Sequence, residues 1–196
     1  MRQDLKKHNP HNLPVDIAIP EDDGKANHLE GMNMPSLSLR VTKGGKVNLS
    51  KLTGDIVLFL YPRTGRPGQL PLVENWNQIP GARGCTPQTC GYRDLFQEFE
   101  SLKINVFGMS TQSSDYQLEA FERLKLPFPI LSDEDLDFSK SLNLPLFEVK
   151  GILLQKRMSL FIRDGVIKKV FYPCFPPDQN ALTVLNWLKE HKHAEL

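Results

Sequence analysis

A chain of 196 residues, 40% hydrophobic and 24% charged, is long enough for one domain with a real core. Its 24 basic and 23 acidic residues leave a formal charge of +1, which gives no field to draw nucleic acid or an anionic membrane surface. No apolar run approaches a bilayer span, and the charged start lacks the apolar stretch of a secretory signal, so a cytoplasmic location is expected.

Residues 1–34 read as an extended arm. Pro10, Pro14, Pro20 and the Glu21-Asp22-Asp23-Gly24 cluster interrupt any period, and only 15–19 alternate like a short strand. One domain is expected over 35–196. Alternation over 36–41, a turn at Lys43-Gly44-Gly45-Lys46 and resumed apolar positions from Val47 predict a hairpin. The run DIVLFLY at 55–61, between Gly54 and Pro62, has the continuous apolarity of a strand buried on both faces. Residues 65–83 hold Pro67, Pro71 and Pro80 and no period, a long loop of the kind that tends to carry function.

Tyr92, Leu95, Phe96, Phe99 and Leu102 then form one helical stripe. Residues 104–109 are strand-like, and Ser113 or Ser114 caps a helix whose apolar face is Tyr116, Ala120, Phe121 and Leu124. A strand over 128–131 and a short helix from Ser132 to about Leu142 follow. Arg163-Asp164-Gly165 turns a hairpin between 158–162 and 166–171, and a helix over 178–189 has Leu182, Leu185 and Leu188 as its seam. Strand–helix alternation closed by a hairpin and a helix implies an α/β fold, a mixed sheet flanked by helices in a thioredoxin-like arrangement.

Three cysteines are too few for a disulfide scaffold in a chain this long, so any disulfide is expected to be transient and catalytic. Pro87 fits only a first helical turn, which places Cys85 at or just before a helix start. Unpaired N–H groups and the helix dipole favour a thiolate there, with Arg83 as an added cation. A thiolate attacks a peroxide O–O bond and is left as a sulfenic acid. Cys90 follows five residues on, and in an intact helix the two Cα atoms are roughly 8–9 Å apart. A disulfide needs less than about 7 Å, so joining them requires the first turn to unwind. The plain alternative is that each thiol is a small packed hydrophobe. Cys174 reads as a packed loop cysteine or as a second redox thiol.

Tyr61-Pro62, then Gly84-Cys85-Thr86 and Cys90-Gly91-Tyr92-Arg93-Asp94, resembles the active-site segment of the Q-type peroxiredoxins, also called bacterioferritin comigratory proteins. The similarity continues in VFGMS at 106–110, LPFPILSDED at 126–135, RMSLFI at 157–162 before Asp164-Gly165, and VLNWL at 184–188. It covers residue 35 to about residue 191. The resemblance implies a thiol-dependent peroxidase without a prosthetic group, acting on hydrogen peroxide and alkyl hydroperoxides. It makes Cys85 the peroxidatic and Cys90 the resolving cysteine of an intramolecular disulfide, re-reduced by thioredoxin or a similar dithiol. Arg157 matches the family arginine that would stabilise the thiolate and the leaving oxygen. A monomer is favoured, with a weak homodimer open through the arm. Family members usually carry a threonine three residues before the first cysteine. Ala82 stands there and 65–83 looks inserted, which makes Thr64 the candidate for that hydroxyl.

Other chemistries fit less well. The five histidines, His8, His11, His28, His191 and His193, lie in the terminal regions, and no Cys or His spacing suits zinc or a Cys–His hydrolase. A thioredoxin-fold dithiol oxidoreductase would want Cys-x-x-Cys. A non-catalytic binding module would use the Pro-rich insertion and leave Cys85, Cys90 and Arg157 idle.

Overall fold

The computed structural model describes residues 9–191. Lys43, Gly44 and Gly45 all take positive φ and turn β1 (Leu39–Val41) back onto β2 (Lys46–Val47). β3 (Asp55–Leu60) is buried along its whole length. Ile56, Leu58 and Leu60 enter one core, and Val57 and Phe59, with Tyr61 just beyond, enter another. Side chains of a strand alternate between faces, so covering both faces removes the polar positions and leaves an unbroken apolar run. β4 (Ile104–Ser110) pairs with β3 in parallel, and β5 (Ile130–Ser132) pairs with β4 in parallel. Gly108 lies on β4 because a Cβ there would sit 2.8 Å from the Phe59 ring.

β6 (Leu146–Val149) and β7 (Ile152–Gln155) form a separate small hairpin. β8 (Met158–Arg163) and β9 (Val166–Phe171) are joined by the predicted turn, and β8 pairs antiparallel with β3. The main sheet therefore runs β2-β1-β5-β4-β3-β8-β9, a mixed sheet. The helices are α1 (Cys85–Asp94), α2 (Phe96–Ser101), α3 (Ser114–Arg123), α4 (Asp137–Ser141) and α5 (Asn180–His191). Residues of α1 and α5 cover the Phe59 face, and Phe138 of α4 packs into the Leu58 face. No helix among the described residues is long and apolar enough to cross a membrane.

Several expectations need correction. Residues 15–19 form no strand; Val15 and Ile19 are exposed and alternate against nothing. The stripe from Tyr92 to Leu102 is shared by two helices broken at Leu95. The helix expected from Ser132 starts at Asp137, because the buried Asp133 carboxylate instead accepts the N–H groups of Phe138 and Ser139 at 2.9 and 3.0 Å. Leu182 is exposed, and the buried seam of α5 is Ala181, Val184, Leu185 and Leu188. The β6–β7 hairpin had no counterpart in the sequence reading.

The segments outside the regular pattern are not loose. In the 65–83 segment, which includes a short 3-10 turn at Trp76–Gln78, Leu72, Val73, Trp76 and Ile79 pack with Phe147, Val149 and Leu154 of the small hairpin. The expected arm is in two parts. Ala26, Leu29 and Met34 belong to the main core, and the backbone bonds to β9 through Gly31 N–H to Ile167 O (2.8 Å) and Ile167 N–H to Met32 O (2.9 Å). The core thus begins ahead of residue 35. Replacing fully buried Leu29 by Ala should cost about 2–5 kcal/mol of unfolding free energy. Urea denaturation measures this, and a loss below about 0.5 kcal/mol, the size of an ordinary surface substitution, would place Leu29 outside the cooperative unit.

Candidate active site

The pairing of Leu60 with Met158 places the end of β3 beside the start of β8. Arg63 follows the first strand and Arg157 precedes the second, so both arrive at the same end of this strand pair. The chain enters α1 through Gly84 at φ 104°, where a Cβ would collide with the Pro177 ring, so only glycine serves this turn. Cys85 is the first residue of the helix, as the position of Pro87 required.

Cys85 is 3% exposed, and two N–H donors converge on its Sγ. The backbone N–H of Arg63 and Nη2 of Arg157 each donate at 3.4 Å. When protonated, the thiol has the Ala82 carbonyl at 3.5 Å as its acceptor. Arg157, also 3% exposed, donates through Nη1 to Gln88 Oε1 and through Nη2 to the carbonyls of Gly81 (3.1 Å) and Arg83 (2.9 Å). Among the described residues no carboxylate pairs with it, and its Nη2 lies 3.4 Å from the Cys85 sulfur. A buried cation without a counter-charge is costly, and a thiolate at this position offsets that cost.

Gln88 in turn donates through Nε2 to Asn180 Oδ1 at 3.0 Å, an atom that also accepts from Ser159 (2.8 Å) and Tyr92 (3.1 Å). Sequence reasoning missed both Gln88 and Asn180. The spacing of Gln88, three after Cys85 and so on the same helix face, was a usable signal. Nothing marked Asn180. Arg83 lies against the other side of the site and donates to the carbonyls of Asn9 and Asn12, the latter at 2.8 Å. Burial pushes its guanidinium down from the ordinary value, and the charge on Cys85 opposes that.

Cys90 is half-buried in the same intact helix, and neither it nor Cys85 is in a disulfide. Burial pushes its thiol up from the ordinary value, opposed by the Arg93 charge. Thr64 does not bring its hydroxyl to the sulfur. It donates to Gln112 Oε1 at 3.1 Å, its own N–H binds the same atom at 2.9 Å, and it lines no part of the cavity above Cys85. Cys174 is buried beside the network, donating to Phe171 O at 3.2 Å and accepting from Asn180 Nδ2 at 3.0 Å.

The cavity holds about 320 Å³ and reaches Cys85. Its lining includes Arg63, Arg83, Thr86 and Tyr116 together with Leu70 and Trp76 of the 65–83 segment. Among the described residues no group of three or more His, Cys, Asp or Glu side chains could hold a metal. His8 and His193 lie outside the described residues.

A sulfur held this way on a thioredoxin-like sheet is the mark of a thiol-redox protein. The comparisons with known proteins carry the matter further. A family model described as Redoxin matches residues 29–185. Peroxiredoxin Bcp of Escherichia coli (strain K12) is 33% identical over 162 residues, covering 80% of this chain and 93% of its own. The chloroplastic peroxiredoxin Q of Suaeda salsa is 28% identical over 161 residues, 82% of this chain and 67% of its own. The crystal structure of peroxidoxin BcpB from Mycobacterium tuberculosis matches with a TM-score of 0.66 at 25% identity, over 82% of this chain and 96% of that one. The chain belongs to the redoxin family, among the peroxiredoxins of the Q and Bcp kind, and so to the peroxidase oxidoreductases.

The surroundings of Cys174 give a test with a definite pH sign. Burial pushes its thiol up to about 12, so at pH 8 it is protonated and shielded. Brief treatment of the native protein with iodoacetamide at pH 8, mapped by mass spectrometry, should leave Cys174 unmodified until denaturant is added. Rapid native labelling of Cys174 would contradict this placement.

Proposed function

We propose that this chain reduces hydrogen peroxide and organic hydroperoxides by a two-cysteine cycle in which Cys85 is peroxidatic and Cys90 resolving. The observation that carries the reading is the convergence of the Arg63 N–H and the unpaired, buried Arg157 guanidinium on a sulfur that lines a cavity. Donors aimed at one point in a dry site stabilise negative charge wherever it develops there.

The Cys85 thiolate attacks the terminal oxygen of the hydroperoxide. An S–O bond forms as the O–O bond breaks, and the electron pair leaves with the departing alkoxide, which takes up a proton to give an alcohol, or water from hydrogen peroxide. Arg157 stabilises both the attacking thiolate and the leaving oxygen. Cys85 is left as a sulfenic acid. The first turn of α1 then opens, because five helical positions separate the two thiols by more than a disulfide spans. The Cys90 thiol attacks the sulfenic sulfur, an S–S bond forms and water leaves. An external dithiol of the thioredoxin class reduces the disulfide by thiol–disulfide exchange. A reducing compartment such as the cytoplasm supplies that donor. Thr64, bound to Gln112, has no part in this cycle.

A peroxidase assay coupled to thioredoxin and its reductase tests the assignment. Cys85→Ser should abolish turnover, and near wild-type rates would refute it. Cys90→Ser should consume about one equivalent of peroxide in the first round and then stall or over-oxidise. Arg157→Gln should lower kcat/KM roughly 10²–10³-fold, the scale set by loss of one donor to a developing oxyanion.

A further inference from the structure

Arg157 is held partly by a group with two unlike ends. Its Nη1 donates to Gln88 Oε1, and the other end of that carboxamide is an NH2 group. Turned over about its last bond, Gln88 would present this NH2 to a guanidinium that can only donate. Nη1 would then lose its acceptor inside a buried site, a costly change for a charged group. The grip on Arg157 therefore depends on which way Gln88 faces.

The buried Asn180 side chain settles that direction. Gln88 Nε2 donates to Asn180 Oδ1 at 3.0 Å, so a turned-over Gln88 would also set two carbonyl oxygens against each other. Asn180 is oriented in turn from its far side. Its Nδ2 donates to Cys174 Sγ at 3.0 Å, and the Cys174 thiol donates to Phe171 O at 3.2 Å, a backbone carbonyl that can only accept. Cys174 must keep its proton for this, which its burial favours. The Ser159 hydroxyl adds a second donor to Asn180 Oδ1 at 2.8 Å. From Phe171 O through Cys174, Asn180 and Gln88 to Arg157, every hydrogen bond runs in one direction, and Arg157 donates to the Cys85 sulfur at 3.4 Å. Asn180 is the first residue of α5, and Gly91 lets that helix start close onto α1, since a Cβ there would lie 3.2 Å from the Asp178 carbonyl oxygen.

We propose that Asn180 is a positioning residue for the peroxide step, locking the Gln88 carboxamide so that its Oε1 holds the Arg157 guanidinium at the sulfur, with the Cys174 thiol as the fixed end of the lock. This role rests on the peroxidase reading with Cys85, and it requires Cys174 intact as a thiol. The lock acts in one half of the cycle only. Gln88 lies in the turn of α1 that opens when Cys85 joins Cys90, so its bond to Asn180 has no part in reduction of the disulfide.

Thioredoxin-coupled kinetics with both substrates varied separate the two halves. There kcat/KM for hydrogen peroxide reports oxidation of Cys85, and kcat/KM for thioredoxin reports reduction of the disulfide. Asn180→Ala should lower kcat/KM for hydrogen peroxide about tenfold, the upper range for one neutral hydrogen bond. It should leave kcat/KM for thioredoxin within about twofold of wild type, the scatter expected between uncoupled sites. Asn180→Leu, close to asparagine in shape, carries the same expectation should the alanine variant not fold. The carboxylate of Gln88→Glu has two equal ends and needs no lock, so in that background Asn180→Ala should change kcat/KM for hydrogen peroxide by less than about twofold. An unchanged peroxide value for the Asn180 variants, equal losses for both substrates, or the same loss in the Gln88→Glu background would overturn the role of Asn180 and leave the peroxidase reading standing. No turnover of hydrogen peroxide by the wild-type protein would overturn both.

Discussion

A guanidinium buried with no carboxylate partner among the described residues organises this site. Moving such a charge out of water costs several kcal/mol unless hydrogen bonds and an opposite charge replace the solvent. Arg157 meets that demand with carbonyls from the loop ahead of α1, with Gln88 from the first turn of α1, and with the Cys85 sulfur. The same contacts fix the loop, the helix start and the sulfur relative to one another. The sheet makes this feasible, since the antiparallel pairing of β3 with β8 delivers Arg157 opposite the segment from which the Arg63 N–H reaches the sulfur.

This arrangement bears on how the helix opens. While Cys85 is a thiolate, its attraction to Arg157 helps hold the first turn, along with the Gln88 N–H to Gly84 O bond (3.0 Å) and the Thr89 hydroxyl on Cys85 O (2.8 Å). Each neutral hydrogen bond contributes about 0.5–1.5 kcal/mol, so opening one turn is a small fraction of a domain's 5–15 kcal/mol. In the proposed cycle, attack on peroxide turns the anionic sulfur into a neutral sulfenic acid, and the electrostatic part of the restraint disappears with it. The turn is therefore tightest when the sulfur must face peroxide and weakest when it must reach Cys90. In that cycle, local unfolding and redox state are coupled through one charge.

Much of the fold was legible because burial on both sides writes itself into composition. The run DIVLFLY could be read as a central strand, and Pro87 fixed the helix start to within one residue. What was not legible has a common physical cause: the signal lay in tertiary contacts. Val15 and Ile19 alternate as a strand would, yet no edge receives them. The β6–β7 hairpin owes its place to the cluster it forms with Trp76, which no local period announces. At the site, Cys85, Cys90 and Arg157 were readable as a chemically special set, whereas Gln88 and Asn180 are ordinary amides until the fold puts a buried arginine beside them.

The insertion and the site are best understood together. Where the family pattern has a threonine hydroxyl, this chain has Ala82, whose carbonyl sits 3.5 Å from the sulfur, and Thr64 is committed to Gln112. Among the described residues no side-chain hydroxyl bonds to the sulfur, and its two donors are a backbone N–H and Arg157. The 65–83 segment puts Leu70 and Trp76 on the lining of the cavity, and Trp76 packs against the small hairpin.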